Sequence, residues 1–365
     1  MSTNYTPAPK AHPVVRLPSD GDLRSASVIV SALQKVADNA RYALGVFAKN
    51  LRPHALPLDA GVRPYRVHAV ASGERNTFRA LCAVGYDFTS GLPAIYLSSD
   101  GETWSPVSKP ATTGKLYGVA FSDTAKRWVA VGESFGGEAS ICRTSDSFAT
   151  AWAPVSSLVD GRLNAVCVSP AGVCVAVGVR GYDGAAFVFR SEDTVTWAEV
   201  EIPLTGELRS VVFADGVFVA VGGDTSPLVV RSTDGLTWTQ EAAPNAYRLD
   251  GVAYNGRVFA AKDIGGRVIT SADGIGWALR ALLVPDGAHV ACVAADPDAG
   301  VLLFAGDAKQ GLLASFDDGA TLEPGYTIAS TLDAYLPLDI YGLSFGAGRF
   351  FAGCSGGHIA VGLRR

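Results

Sequence analysis

The chain has 365 residues, 48% of them hydrophobic, with 41 Gly, 19 Pro and a formal net charge of −5. This composition is too apolar for a disordered chain and supports a large buried core. No basic run could neutralise consecutive phosphates, which argues against nucleic acid as a partner, and no uncharged apolar stretch approaches the roughly 18 to 20 residues of a membrane span.

Residues 1–24 are rich in proline at first and read as an extended arm, with Pro18-Ser19-Asp20-Gly21-Asp22 as a turn. From Ser25 to about Leu51 proline is absent and Gly45 is the one glycine. Apolar residues Ile29, Leu33, Val36, Ala40, Ala43 and Phe47 step by alternating fours and threes. That spacing predicts a helix over 25–52 with a heptad-like face, to be packed on its own chain or used in self-association. A seam this short is marginal by itself, so an oligomer would need help from other contacts. The string from Val15 to Ser27 followed by this helix resembles the N-terminal segments of phage tail-associated and prophage proteins. The resemblance implies a helix that attaches a distal domain to a particle. The opening residues carry neither a basic leader nor an apolar signal core, so synthesis in the cytoplasm without a signal peptide is expected.

From residue 53 onward a unit recurs, aligned on a serine or threonine followed two residues later by aspartate. Its aspartates are Asp100, Asp146, Asp193, Asp234, Asp273 and Asp317, and the tryptophans that follow are Trp104, Trp152, Trp197, Trp238 and Trp277, with Leu322 in the last copy. Copies lie 39 to 48 residues apart, the length of a four-stranded propeller blade. Ahead of each turn come two Val-rich runs, such as Val211–Phe213 and Val217–Gly222, joined by Ala214-Asp215-Gly216. Such runs, continuous in apolar residues, predict strands buried on both faces. The aspartate is expected to accept backbone N–H groups, glycine to supply positive φ, and tryptophan to pack the turn on its blade. The pattern resembles the Asp-box, or BNR, repeat of sialidases and other propellers. Copies with glycine directly after aspartate are one residue shorter than that repeat.

A last unit, Tyr341–Gly362, stops without an aspartate turn or outer strand, and the segment around Ala55 to Tyr65 is expected to lend the missing strand. The fold class predicted is all-β: a seven-bladed β-propeller of four-stranded antiparallel blades over 53–365, preceded by the arm and one α-helix.

Little in the sequence points to catalysis. A sialidase would need an arginine triad, a tyrosine nucleophile and an acid/base carboxylate; the nearest string, Tyr65-Arg66-Val67-His68, has His68 where that family has proline, and reads as the start of a strand. One aspartate per blade at the same turn keeps the six apart around the rim. The histidines, His12, His54, His68, His289 and His358, show no metal-site spacing. The six cysteines lack C-x-x-C spacing and read as buried thiols. Cys167 and Cys174 flank a tight turn, yet a disulfide between them is disfavoured. No cofactor or metal is expected. Glu133, Asp183, Asp224 and Asp263 fall after the second strand of their blades and are candidate ligand-loop residues, since propellers bind through loops on a rigid ring.

The function read from the sequence is a non-enzymatic structural or receptor-binding propeller of a phage tail, fibre or baseplate-like particle. Its arm and helix, residues 1–52, would dock on other particle proteins or form a homo-oligomer, and its loops would meet a cell-surface glycan or protein receptor. The alternative is a carbohydrate-binding or sialidase-like carbohydrate-active protein.

Overall fold

The computed structural model describes residues 52–55, 65–75, 78–87, 90–107, 113–134, 136–144, 151–155, 160–244, 247–282, 290–306, 312–324, 340–346, 348–354 and 357–361. Their strands form seven four-stranded antiparallel sheets. Six are contiguous meanders whose inner strands are Tyr65–Arg75, Thr113–Ser122, Gly161–Val168, Leu208–Ala214, Leu249–Tyr254 and Val290–Asp296, in blades one to six. The other is composite. It joins Ile340–Gly346, Arg349–Cys354 and His358–Val361 to Arg52–Ala55.

Two expectations are corrected here. The described residues are all-β with no α-helix among them, so the helix of 25–52 and the arm of 1–24 are not part of the described fold; residues 1–51 lie outside it. Arg52 itself is extended, the conformation favoured for a residue before proline, here Pro53. The strand that completes the last blade is Arg52–Ala55, paired from Arg52↔Val361 to Ala55↔His358, and not the stretch from Ala55 to Tyr65. Tyr65 instead opens the inner strand of blade one.

The second strands carry the core. Val217–Gly222 is buried at every position, as is Phe259–Asp263, because each second strand is covered by the blades before and after it. The hydrophobic clusters accordingly lie between blades: Phe187, Ile141 and Val166 join blades two and three, and Phe218, Val188 and Val211 join three and four. Phe351, Ile359 and Val361 of the composite blade share a cluster with Val67, Leu81 and Trp104 of blade one, which closes the ring. At ~1.5–3 kcal/mol for each fully buried large aliphatic or aromatic side chain, these seams dominate the stability. In such a meander the turn between third and outer strands shares one end of the ring with the inner hairpin. The link from second to third strand lies at the other end.

Candidate functional site

Each inner strand slips against its second strand at a corresponding place, between Val67/Ala69, Leu116/Gly118, Leu163/Ala165, Leu208/Ser210, Leu249/Gly251, Val290/Cys292 and Ile340/Gly342, and blade two slips a second time between Thr113 and Leu116. The extra residue at each corresponding slip is His68, Tyr117, Asn164, Arg209, Asp250, Ala291 and Tyr341. A bulge re-aims its side chain, and His68, Tyr117, Asn164, Arg209, Asp250 and Tyr341 line a central channel of about 750 Å³. Facing four of the slips the second strand has Gly85, Gly132, Gly178 or Gly222. A Cβ there would sit 1.8–1.9 Å from the carbonyl oxygen of Arg66, Lys115, Arg162 or Glu207. Each of these glycines ends an Ala-Val-Gly triplet. Blade five departs from it, with Ala261-Lys262-Asp263 in the same place.

One arc of the channel mouth is aromatic. His68 stacks on Tyr86 (5.1 Å, 12°) and meets Tyr117 edge-on at 5.4 Å and Tyr341 at 5.6 Å. The Arg66 guanidinium lies 4.9 Å from the Tyr341 ring, and the Lys115 ammonium 5.7 Å from that of Tyr86 while it bonds Glu133 at 2.7 Å. Burial, helped by the Arg66 charge, lowers the His68 pKa to about 4, so its imidazole is neutral at neutral pH. Its Nε2 is buried without a hydrogen-bond partner. Burial, then Glu133, pushes the Tyr117 phenol up, so it stays protonated.

The other arc is ionic. Glu207, 7% exposed, accepts from Arg162 Nη2 (2.6 Å), Arg162 Nε (3.1 Å) and Asn164 Nδ2 (2.8 Å), and pairs with Arg209. Asp250 faces three cations: Arg209 Nε at 3.8 Å, Arg248 Nε at 3.5 Å and Lys262 Nζ at 3.5 Å. Lys262 is fully buried; desolvation lowers its pKa against the pull of Asp250. Its counterparts in blades one to four are valines, Val84, Val131, Val177 and Val221.

Of the four acidic candidates at this end of the ring, Asp183 and Asp224 follow their second strands as expected, whereas Glu133 and Asp263 belong to the second strands Arg127–Ser134 and Phe259–Asp263 themselves; each is engaged by its own surroundings. Glu133 holds Lys115, and Asp183 receives Arg180 and the Ala185 N–H. Asp224 accepts weakly from the Glu207 N–H. Asp263, fully buried, accepts from Arg267 Nε (2.7 Å), Arg267 N–H (2.8 Å) and Tyr247 N–H (3.1 Å). The repeated aspartates sit at the opposite end. Asp234 accepts from Ser232 Oγ (2.9 Å) and the N–H groups of Leu236 and Thr237 (both 2.8 Å), while Trp238 Nε1 donates to the Gly235 carbonyl at 3.2 Å. Asp100 with Trp104, Asp193 with Trp197, and Asp273 with Trp277 repeat this, and Asp317 holds Thr321 in a turn one residue longer. Trp152 is buried at the start of an outer strand; Asp146 lies outside the described residues, as do Ile29, Leu33, Val36, Ala40, Ala43 and Phe47.

Cys167 and Cys174 are free thiols, one register step apart across their hairpin, and burial raises both pKa values. Among the described residues no His, Cys, Asp and Glu cluster has the arrangement of a metal site, and no helix is long and apolar enough to cross a membrane.

No protein-family model and no curated protein matches the chain. Solved structures do. YCF48 bound to D1 peptide superposes with a TM-score of 0.64 at 17% identity, over 86% of this chain and 95% of that one. A catalytically inactive virginiamycin B lyase from Staphylococcus aureus with quinupristin gives 0.66 at 11% identity, over 86% and 100%. The WD40 β-propeller domain of Doa1 gives 0.60 at 12% identity, over 86% and 98%. The likeness is one of fold, the β-propeller.

Proposed function

We propose that this chain is a non-enzymatic binding propeller that takes its ligand at the channel mouth described above. The observation that carries the reading is the state of the mouth's acidic groups. Glu133, Glu207 and Asp250 are each tied to cations, so among the described residues these carboxylates do not stand as an open pair for acid and base roles on either side of a substrate. His68 is held among rings and not by a carboxylate, unlike the imidazole of a nucleophilic triad. Two fold neighbours carry ligands, a peptide on YCF48 and quinupristin on the lyase, which supports a ring of this kind as a ligand-bearing frame.

The heptad-like steps of Ile29 to Phe47, together with the likeness of Val15–Ser27 to phage tail-associated segments, support attachment of the propeller to a particle through residues 1–52. In this reading the ring presents its mouth to a receptor.

The full chain is to be screened on glycan and peptide arrays. Hits should be bound with unchanged mass and lost in Tyr341→Ala. Release of a cleaved product, or no hit on either array, overturns the reading. For the particle, Leu33→Asp with Phe47→Asp should abolish incorporation while leaving the propeller's melting midpoint unchanged; retained incorporation counts against it.

A further inference from the structure

The geometry points to an oxyanion site, for a carboxylate or phosphate group, between Arg209, Arg248 and Lys262 at the mouth of the channel. It rests on the mouth being the ligand site and names what that ligand must carry. The neighbouring acidic groups are already engaged: Glu207 by Arg162, Asn164 and Arg209, and Asp263 by Arg267 and two backbone N–H groups. Asp250 faces Arg209 Nε, Arg248 Nε and Lys262 Nζ at 3.8, 3.5 and 3.5 Å, and Arg209 also pairs with Glu207. The Nε–H groups of both Arg209 and Arg248 are buried and have no hydrogen-bond acceptor. A buried guanidinium donor without an acceptor is costly, and a second anion beside Asp250 would satisfy both donors at once.

Several features make this a built site and not a chance cluster of surface charge. Lys262 is fully buried in a slot that four other blades fill with valine, so the fold accommodates an ammonium where an aliphatic group would fit. Arg209 is the extra residue of its bulge and Asp250 that of the next, so both are turned to the channel. Arg209, Arg248 and Asp250 side chains are 25%, 35% and 19% exposed, which leaves room for approach from the lumen. Guanidinium groups favour oxyanions because their N–H donors match the paired acceptors of carboxylate and phosphate.

The test is calorimetric titration of the full chain with inorganic phosphate, sulfate and acetate in turn, at constant ionic strength set by chloride. One saturable site is expected. Preference for acetate assigns a carboxylate, and preference for phosphate and sulfate a phosphate-like group. Arg248→Gln should weaken binding at least tenfold. Lys262→Met, which restores the apolar residue of the other blades, should weaken it while keeping the fold. Arg280→Gln removes a cation bonded to Thr270 on the outer strand of blade five and should change nothing. No saturable binding of any of the three anions overturns the proposal, as does equal loss in Arg280→Gln and Arg248→Gln, or none in Arg248→Gln. Array hits that persist in Arg248→Gln would leave the binding reading standing and sink this site.

Discussion

Thr194 occupies a place that suits it poorly. In the turns of blades one, four and five the residue after aspartate is Gly101, Gly235 or Gly274, with φ of 73–80°, whereas blade three has a threonine at φ 66°. A β-branched side chain in the left-handed region is strained, and Thr194 is fully buried with its Oγ1 unpartnered. Thr194→Gly should therefore raise stability by about 1 kcal/mol, from relief of strain and of a buried hydroxyl, despite the greater freedom of glycine in the unfolded chain. Urea unfolding checks this; a lowered midpoint would refute it. The aspartates before these residues set an acid limit. The Thr237 and Leu236 N–H groups hold the Asp234 carboxyl at about 2. Asp100 and Asp193 also stand at about 2, where burial, which opposes the shift, is outweighed by backbone donors. A folded pKa below the unfolded value of 3.8 makes stability complete above that value and lost as pH falls toward 2. Wild type should lose stability more steeply between pH 4 and 2 than Asp234→Asn, as read by melting temperature against pH.

Between elements, the turns are stapled to the preceding blade by arginine. Arg190 Nε donates to the Asp234 carbonyl (3.0 Å), Arg231 Nε to that of Asp273 (3.1 Å), and Arg349 Nη1 to that of Asp100 (3.2 Å) across the closure. Arg231→Met keeps most of the stem and loses the charge-assisted bond, so a loss of about 1–2 kcal/mol is expected in denaturant unfolding; an unchanged midpoint would show the staple to be idle. Such devices explain what could be read from sequence. The turn repeats because its bonds are local, Ser232 and Asp234 reaching backbone within three residues, so the same letters recur and mark the blades. The channel mouth was hidden for the opposite reason. Its residues differ in type from blade to blade, as His68, Tyr117, Asn164 and Arg209 do, and what places them is a bulge made by glycine against a carbonyl of another strand. The visible trace was the Ala-Val-Gly triplet, and the break at Lys262-Asp263 was its one charged exception. The sequence reads Glu133, Asp183, Asp224 and Asp263 as falling after the second strands of their blades, yet nothing in it showed that Glu133 and Asp263 are spent on Lys115 and Arg267.

At the scale of the molecule, closure depends on a strand far from its partner in sequence. Arg52–Ala55 pairs with His358–Val361 over four registered residues, and Asn50 is where the compact unit containing the propeller begins. Without this strand, His358–Val361 would present an unpaired edge, the usual template for association between copies. The registered pairs of this ladder begin at Arg52. Two truncations separate these roles. Deletion of residues 1–49 should leave the melting midpoint of the propeller unchanged. Deletion of residues 1–56 should cost on the order of 2–4 kcal/mol, at about 1 kcal/mol for each ladder hydrogen bond lost, and should make the protein self-associate as its concentration rises. Unfolding and light scattering of the two variants, measured side by side, decide the matter: equal midpoints and a monomer in both would show that the ring is held by the seam between the last blade and the first, where Phe351 and Ile359 meet Val67 and Leu81, and not by the borrowed strand.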